Sequence, residues 1–113
     1  MAGFPLPVLR YFAKPNSPQV QLLQPNSGNI LSAKQLIRFV WQEFAGASAY
    51  KLEVYQGETS ILSAILAAGK TSYFAPPWLK ERSRQPLRWQ IKALNADGSV
   101  LAESAVNDFR IQP

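Results

Sequence analysis

Residues 77–89, PWLKERSRQPLRW, carry four basic side chains, one acid and two tryptophans, and no other stretch of this 113-residue chain is as densely armed. Cations interleaved with aromatic rings suit a polyanion, because lysine and arginine offset its charge while a ring offers a face for stacking. The candidate set is Lys80, Arg82, Arg84, Arg88 and Lys92, with Lys51 as a neighbour and Trp78 and Tyr55 as stacking platforms. The plainer reading is a solvated loop whose arginines keep an exposed strand from pairing with other chains. Glu81, inside the cluster, favours that reading.

Other chemistry is sparse. The chain has no cysteine and no histidine. Disulfides, thiolate–metal sites and thiol nucleophiles are therefore excluded, as are the commonest general base near neutral pH and the Ser-His pair. Carboxylate pairs can be drawn between Asp97 and Glu103 or between Glu53 and Glu43, but glycosidases need two carboxyls fixed across a cleft. A small domain with short loops offers no cleft, and Asp97 has a simpler role as a turn residue in NADG. Tyr55, Tyr73, Phe74 and Trp78 are candidates for a sugar-stacking platform, although strand alternation should bury one of Tyr73 and Phe74. No glycine-rich phosphate loop, acidic calcium loop or dinucleotide fingerprint is present, so no cofactor is expected.

Charge and hydropathy set the frame. Twelve Lys+Arg against seven Asp+Glu give a net charge of +5. Such a balance favours nucleic acid, acidic glycans or anionic lipid, and it also does no more than keep many small domains soluble. No apolar run approaches the roughly 20 residues that span a bilayer. The opening MAGFPLPVLRYFAKP has too short an apolar stretch, broken by Pro5 and Pro7, for a secretion signal. The chain is then either cytoplasmic or a piece of a longer one, and Met-Ala-Gly, readable as an initiator plus added residues, favours the piece. Residues 1–17 are proline-rich yet apolar, which suits a linker or docking segment; residues 18–113 form one domain.

The elements that must position these residues show period-two alternation. VQLL reads as a short strand, stopped by QPNSGN. In QLIRFVWQEF, Ile37, Phe39 and Trp41 fall on one face and Arg38 and Gln42 on the other. In AYKLEVYQG, Tyr50, Leu52 and Val54 alternate with Lys51, Glu53 and Tyr55. TSILSAILAAGK is ambiguous: Ile61/Ile65 and Leu62/Leu66 sit at helical spacing, but the flanking strands favour a strand. TSYF is another short strand, closed by Pro76-Pro77. Leu87, Trp89, Ile91 and Ala93 then line one face, with Arg88, Gln90 and Lys92 on the other. NADG makes a hairpin turn, and residues 100–111 return as the last strand. Seven short strands with turns every eight to twelve residues predict an all-β, seven-stranded antiparallel β-sandwich of immunoglobulin-like topology.

Over residues 19–112 the chain resembles the fibronectin type III domain, in the form found as modules of bacterial surface and envelope proteins. Trp41 at the end of the second strand carries the resemblance, with AGASAYKLEV, TSYFAPPWL with its Leu79, and RWQIKALNADGSVLAES. The family usually has a tyrosine two residues before the position of Trp89, where this chain has Leu87, so its corner hydrogen bond is missing and packing must hold residues 79–86. No RGD is present, so integrin-type adhesion has no support. The resemblance implies a buried Trp41 and Trp89, an accessory rather than enzymatic role, a protein partner or neighbouring domains of the same chain, and an extracytoplasmic site, the periplasm or the cell surface. The expected function is a non-catalytic spacer or protein-interaction module within a larger bacterial envelope protein. The alternative is a binding module for an acidic polymer, glycan or nucleic acid, through the basic stripe.

Overall fold

A computed structural model describes residues 19–82 and 85–112, with Arg82 in its backbone only. The expected linker or docking segment, residues 1–17, lies outside the described residues. Nine strands follow one another: β1 (Leu22–Gln24), β2 (Asn29–Ser32), β3 (Arg38–Trp41), β4 (Ala49–Gln56), β5 (Thr59–Ala67), β6 (Ser72–Phe74), then β7 (Leu87–Leu94), β8 (Val100–Glu103) and β9 (Asn107–Gln112). A 3-10 turn, Pro77–Arg82, connects β6 to β7. One sheet has the order β1-β3-β6, the other β2-β9-β7-β4-β5, with β8 also paired to β7. The expected β-sandwich is present, and the ambiguous segment 59–67 is a strand paired with β4 throughout.

The two strands beyond the expected seven have local causes. β2 is four residues long and pairs parallel with β9, Asn29 opposite Phe109 and Ser32 opposite Gln112, the one parallel pairing between named strands. The return after NADG divides because Ser104 interrupts the ladder. Its amide donates to the Ile91 carbonyl at 2.9 Å, and its Oγ accepts from the Ile91 amide at 2.9 Å. That hydroxyl thus takes the donor a regular rung would use. β8 consequently lies along the end of β7, and β9 along its start.

The core follows the alternation. Phe39 and Trp41 of β3, Tyr50, Leu52 and Val54 of β4, and Leu87, Trp89, Ile91 and Ala93 of β7 are all buried, together with Phe109 and Ile111 of β9. The Phe39 ring centroid lies 4.9 Å from that of Trp89 and 5.8 Å from that of Phe109, and Trp41 meets Tyr50 edge to face at 5.7 Å. These are the offset and edge arrangements that ring quadrupoles favour. The tryptophans differ in their polar ends. Trp89 Nε1 donates to the Pro25 carbonyl at 3.0 Å, tying β7 to the loop after β1, whereas buried Trp41 Nε1 has no acceptor among the described residues. The Tyr50 hydroxyl accepts from the Phe44 amide at 2.8 Å and anchors the loop between β3 and β4.

Leu87, where a tyrosine was absent, is fully buried, and so is Leu79 in the 3-10 turn. The connection from β6 to β7 is thus held down by packing, and within it Leu79 N–H donates to Pro76 O at 3.0 Å. Among the described residues no helix is long and apolar enough to cross a membrane.

Candidate functional site

The outer face of the larger sheet is where the expected basic stripe must lie, and strand register decides what it contains. Across β4 and β7, Tyr55 stands opposite Arg88, Glu53 opposite Gln90, and Lys51 opposite Lys92. On the next flank Lys92 faces Glu103 and Arg88 faces Asp108. Opposite residues share a face of a sheet, so Arg88, Lys92 and Lys51, with Arg110 further along β9, are interleaved with Glu53, Glu103 and Asp108. The face is mixed in sign.

Two lysines directly opposite one another repel. Glu53, mostly buried between them, offsets this: its carboxylate lies 3.7 Å from Lys51 Nζ and 3.5 Å from Lys92 Nζ. The lysines are more open than the acid, with side chains 37% and 27% exposed against 12%. Burial raises the Tyr55 phenol above its ordinary pKa, and the neighbouring Glu53 carboxylate raises it further by accepting its hydrogen bond and by its charge. Glu53→Gln should therefore leave the lysines facing each other without the counter-charge between them. We expect a loss of about 1–2 kcal/mol, between the values for exposed and buried pairs. Urea unfolding at low and high salt checks this, since screening should shrink the loss.

The rest of the candidate set is distributed elsewhere. Arg88 donates from Nη2 to the Gly57 carbonyl at 2.6 Å, which holds the guanidinium over the β4–β5 turn. Trp78 and Lys80 belong to the 3-10 turn between the sheets, Trp78 being 38% exposed. The side chain of Arg82 and the whole of Arg84 lie outside the described residues. The structure therefore brings Tyr55, Arg88 and Lys92 onto one face, and leaves Trp78 and Lys80 on a separate element.

The aromatic set is also divided. Tyr73 turns inward and packs on the core, while Phe74 is 56% exposed beneath the Arg38 guanidinium, 5.6 Å from its ring centroid. Phe74 thus belongs to the outer side of the smaller sheet and Tyr55 to that of the larger, so they share no platform.

The drawn carboxylate pairs have other partners. Asp97 accepts hydrogen bonds from the Ser99 hydroxyl at 2.6 Å and the Ser99 amide at 2.9 Å, which hold its pKa below the usual carboxylate value. It closes the NADG turn, where Gly98 takes a φ of 89° that L side chains rarely adopt. Glu53 belongs to the lysines. Among the described residues no group of His, Cys, Asp and Glu is arranged to hold a metal ion.

Sequence reasoning passed over one feature of this face. An open depression of about 500 Å³ at one end is lined by Lys51, Lys92, Ile65, Leu94 and Val100 among others. The exposed Ile65 of β5 was the available signal, obscured by the helical spacing of that segment.

No protein-family model matches the chain, and no curated protein matches it. Among solved structures it is similar to the fibronectin(III)-like modules of Clostridium thermocellum CbhA, at 19% sequence identity and a TM-score of 0.56. The match covers 82% of this chain and 94% of that one. A smaller sheet packs on a larger one with Trp41 and Trp89 between them, and by fold the chain is a fibronectin type III-like β-sandwich domain.

Proposed function

We propose that this domain is a non-catalytic spacer or protein-interaction module, one part of a larger bacterial envelope protein, with residues 1–17 as the linker or docking segment to its neighbour. The observation that carries this reading is the fold's likeness to the CbhA modules over nearly the whole of their length. The mixed charge of the outer face and the engagement of Asp97 and Glu53 in local contacts agree with it. The test is to determine the natural reading frame on both sides of residues 1–113. Continuation into a leader and further domains is the expected result. A frame that starts at Met1 and stops at Pro113 overturns the spacer reading.

The acidic-polymer reading draws on one arrangement: Arg88 and Lys92 lie outward on one strand, with Tyr55 opposite Arg88. Binding of this kind weakens steeply with salt, as counterions are released, whereas docking through apolar residues barely responds. If Arg88→Ala with Lys92→Ala, as well as Arg82→Ala with Arg84→Ala, leaves the affinity for heparin or single-stranded DNA at low salt unchanged, this second reading fails.

A further inference from the structure

The larger sheet ends in β5, whose outer edge has no partner strand among the described residues. Edge strands of monomeric proteins are usually guarded by charge, proline or shortness. The other edges here are short, with β1 and β6 at three residues each and β2 at four. β5 runs for nine residues, TSILSAILA, without one charge, proline or glycine. Its single irregularity lies near the start, where the register with β4 shifts by one residue around Ile61. Beyond it the ladder is regular, and the free edge presents unused amides and carbonyls in line.

The side chains are incomplete as well. Leu62, Ala64 and Leu66 stand opposite Val54, Leu52 and Tyr50, so they face the interior. Their partners on β4 are fully buried, yet all three of these residues remain partly exposed. The cause is the mismatch of the sheets: three strands cannot cover six, and β5 overhangs. An added strand would supply both the missing hydrogen bonds and the missing apolar contact.

We propose that this edge pairs with β5 of a second copy of the chain, antiparallel about a two-fold axis at Ala64. The sequence is nearly self-complementary about that point. Leu62 then meets Leu66 of the other copy on the inner face, Ser63 meets Ile65 on the outer, and Ala64 meets its own equivalent. Charge complementarity selects this occupant. Glu58 precedes the strand and Lys70 follows it, both are exposed, and neither has an ion-pair partner among the described residues. Glu58 stands in the turn just before β5 and Lys70 just after the turn that ends it, so each copy brings its glutamate to the end of the pair where the other has its lysine. Because the axis is perpendicular to the sheet, the two smaller sheets stay on the same side and flank the leucines. The contact is a strand pair rather than a broad face, so association is weak and concentration-dependent. It does not rest on the domain's place in a longer protein.

Sedimentation equilibrium of the full chain should show monomers passing to dimers between micromolar and millimolar concentration. Ser63→Lys, at an exposed edge position, should abolish the dimer without changing the melting temperature. Glu58→Lys should weaken it several-fold, and adding Lys70→Glu should restore it, which no general effect of charge would do. The chain has no cysteine, so Ala64→Cys places one thiol on the axis, where opposed Cα atoms about 4.5–5.5 Å apart permit a disulfide. Ser60→Cys would place its thiols about 27 Å apart at the rise of an antiparallel strand. Oxidative cross-linking of the Ala64→Cys variant and not of the Ser60→Cys variant is the expected result. A chain that stays monomeric to millimolar concentration, or a dimer indifferent to Ser63→Lys, overturns the proposal.

Discussion

Trp89→Ala is expected to abolish the cooperative unfolding transition. The indole is completely buried at the centre of the larger sheet, against Phe39, and its N–H reaches the Pro25 carbonyl 64 residues away in sequence. Truncating a buried tryptophan costs about 3–5 kcal/mol in lost transfer and cavity terms. The loss of a buried hydrogen bond adds about 1 kcal/mol. Small domains have only about 5–15 kcal/mol in total, so the variant should show a broad or absent thermal transition by circular dichroism. Trp89→Phe separates the terms, since a ring is retained and the donor is lost. Pro25 O would still accept from Asn107 Nδ2 at 3.3 Å. Trp41→Phe is the matching control: its indole N–H has no acceptor among the described residues, so it should cost less than Trp89→Phe. A folded Trp89→Ala protein with an ordinary sharp melt would contradict the assigned core.

Leu79→Ala should be the next most damaging change, at about 2–5 kcal/mol. The segment from β6 to β7 lacks the tyrosine corner, and the fully buried Leu79 and Leu87 are what holds it down. Unfolding in urea measures the global cost, while amide exchange distinguishes its location. Protection should fall first at residues 77–86 and only later in β4 and β7, because a 3-10 turn closes its backbone bonds locally, as Leu79 N–H does to Pro76 O, whereas β4 and β7 are laddered to neighbouring strands. Uniform loss of protection would mean that the segment is held by contacts other than Leu79.

The core strands were readable because their patterning is local. In β4 and β7 the inward residues Tyr50, Leu52 and Val54, and Leu87, Trp89, Ile91 and Ala93, are apolar or aromatic and most outward ones are polar, so facing follows from period two. β5 is harder to read for a physical reason. As an overhanging edge it carries apolar residues on both sides, Leu62 and Leu66 half-covered within and Ile65 exposed without, and that blurs alternation into helical spacing. β2 left no signal at all. Four mostly exposed residues held by a strand about 80 positions away have no periodicity to show.

The candidate site was legible to the same depth. Alternation placed Arg88, Lys92 and Lys51 outward, as the structure has them. What it lacks is register: nothing within β7 says that Asp108 lies opposite Arg88, or that Glu53 stands by both Lys51 and Lys92. A run of cations in sequence thus becomes a checkered surface when folded.

The parallel pairing of β2 with β9 bears on how the domain carries mechanical load. These strands lie towards opposite ends of the described chain, and they point the same way across four in-register residue pairs. Tension drawn along the chain pulls β2 backwards and β9 forwards, so their rungs are sheared together rather than opened one by one. The antiparallel β4–β5 hairpin, pulled from its two open ends, would unzip from one end at far lower force. A unit strung between neighbours would therefore yield at this short seam, after β1 has peeled away, and hold its length below that threshold.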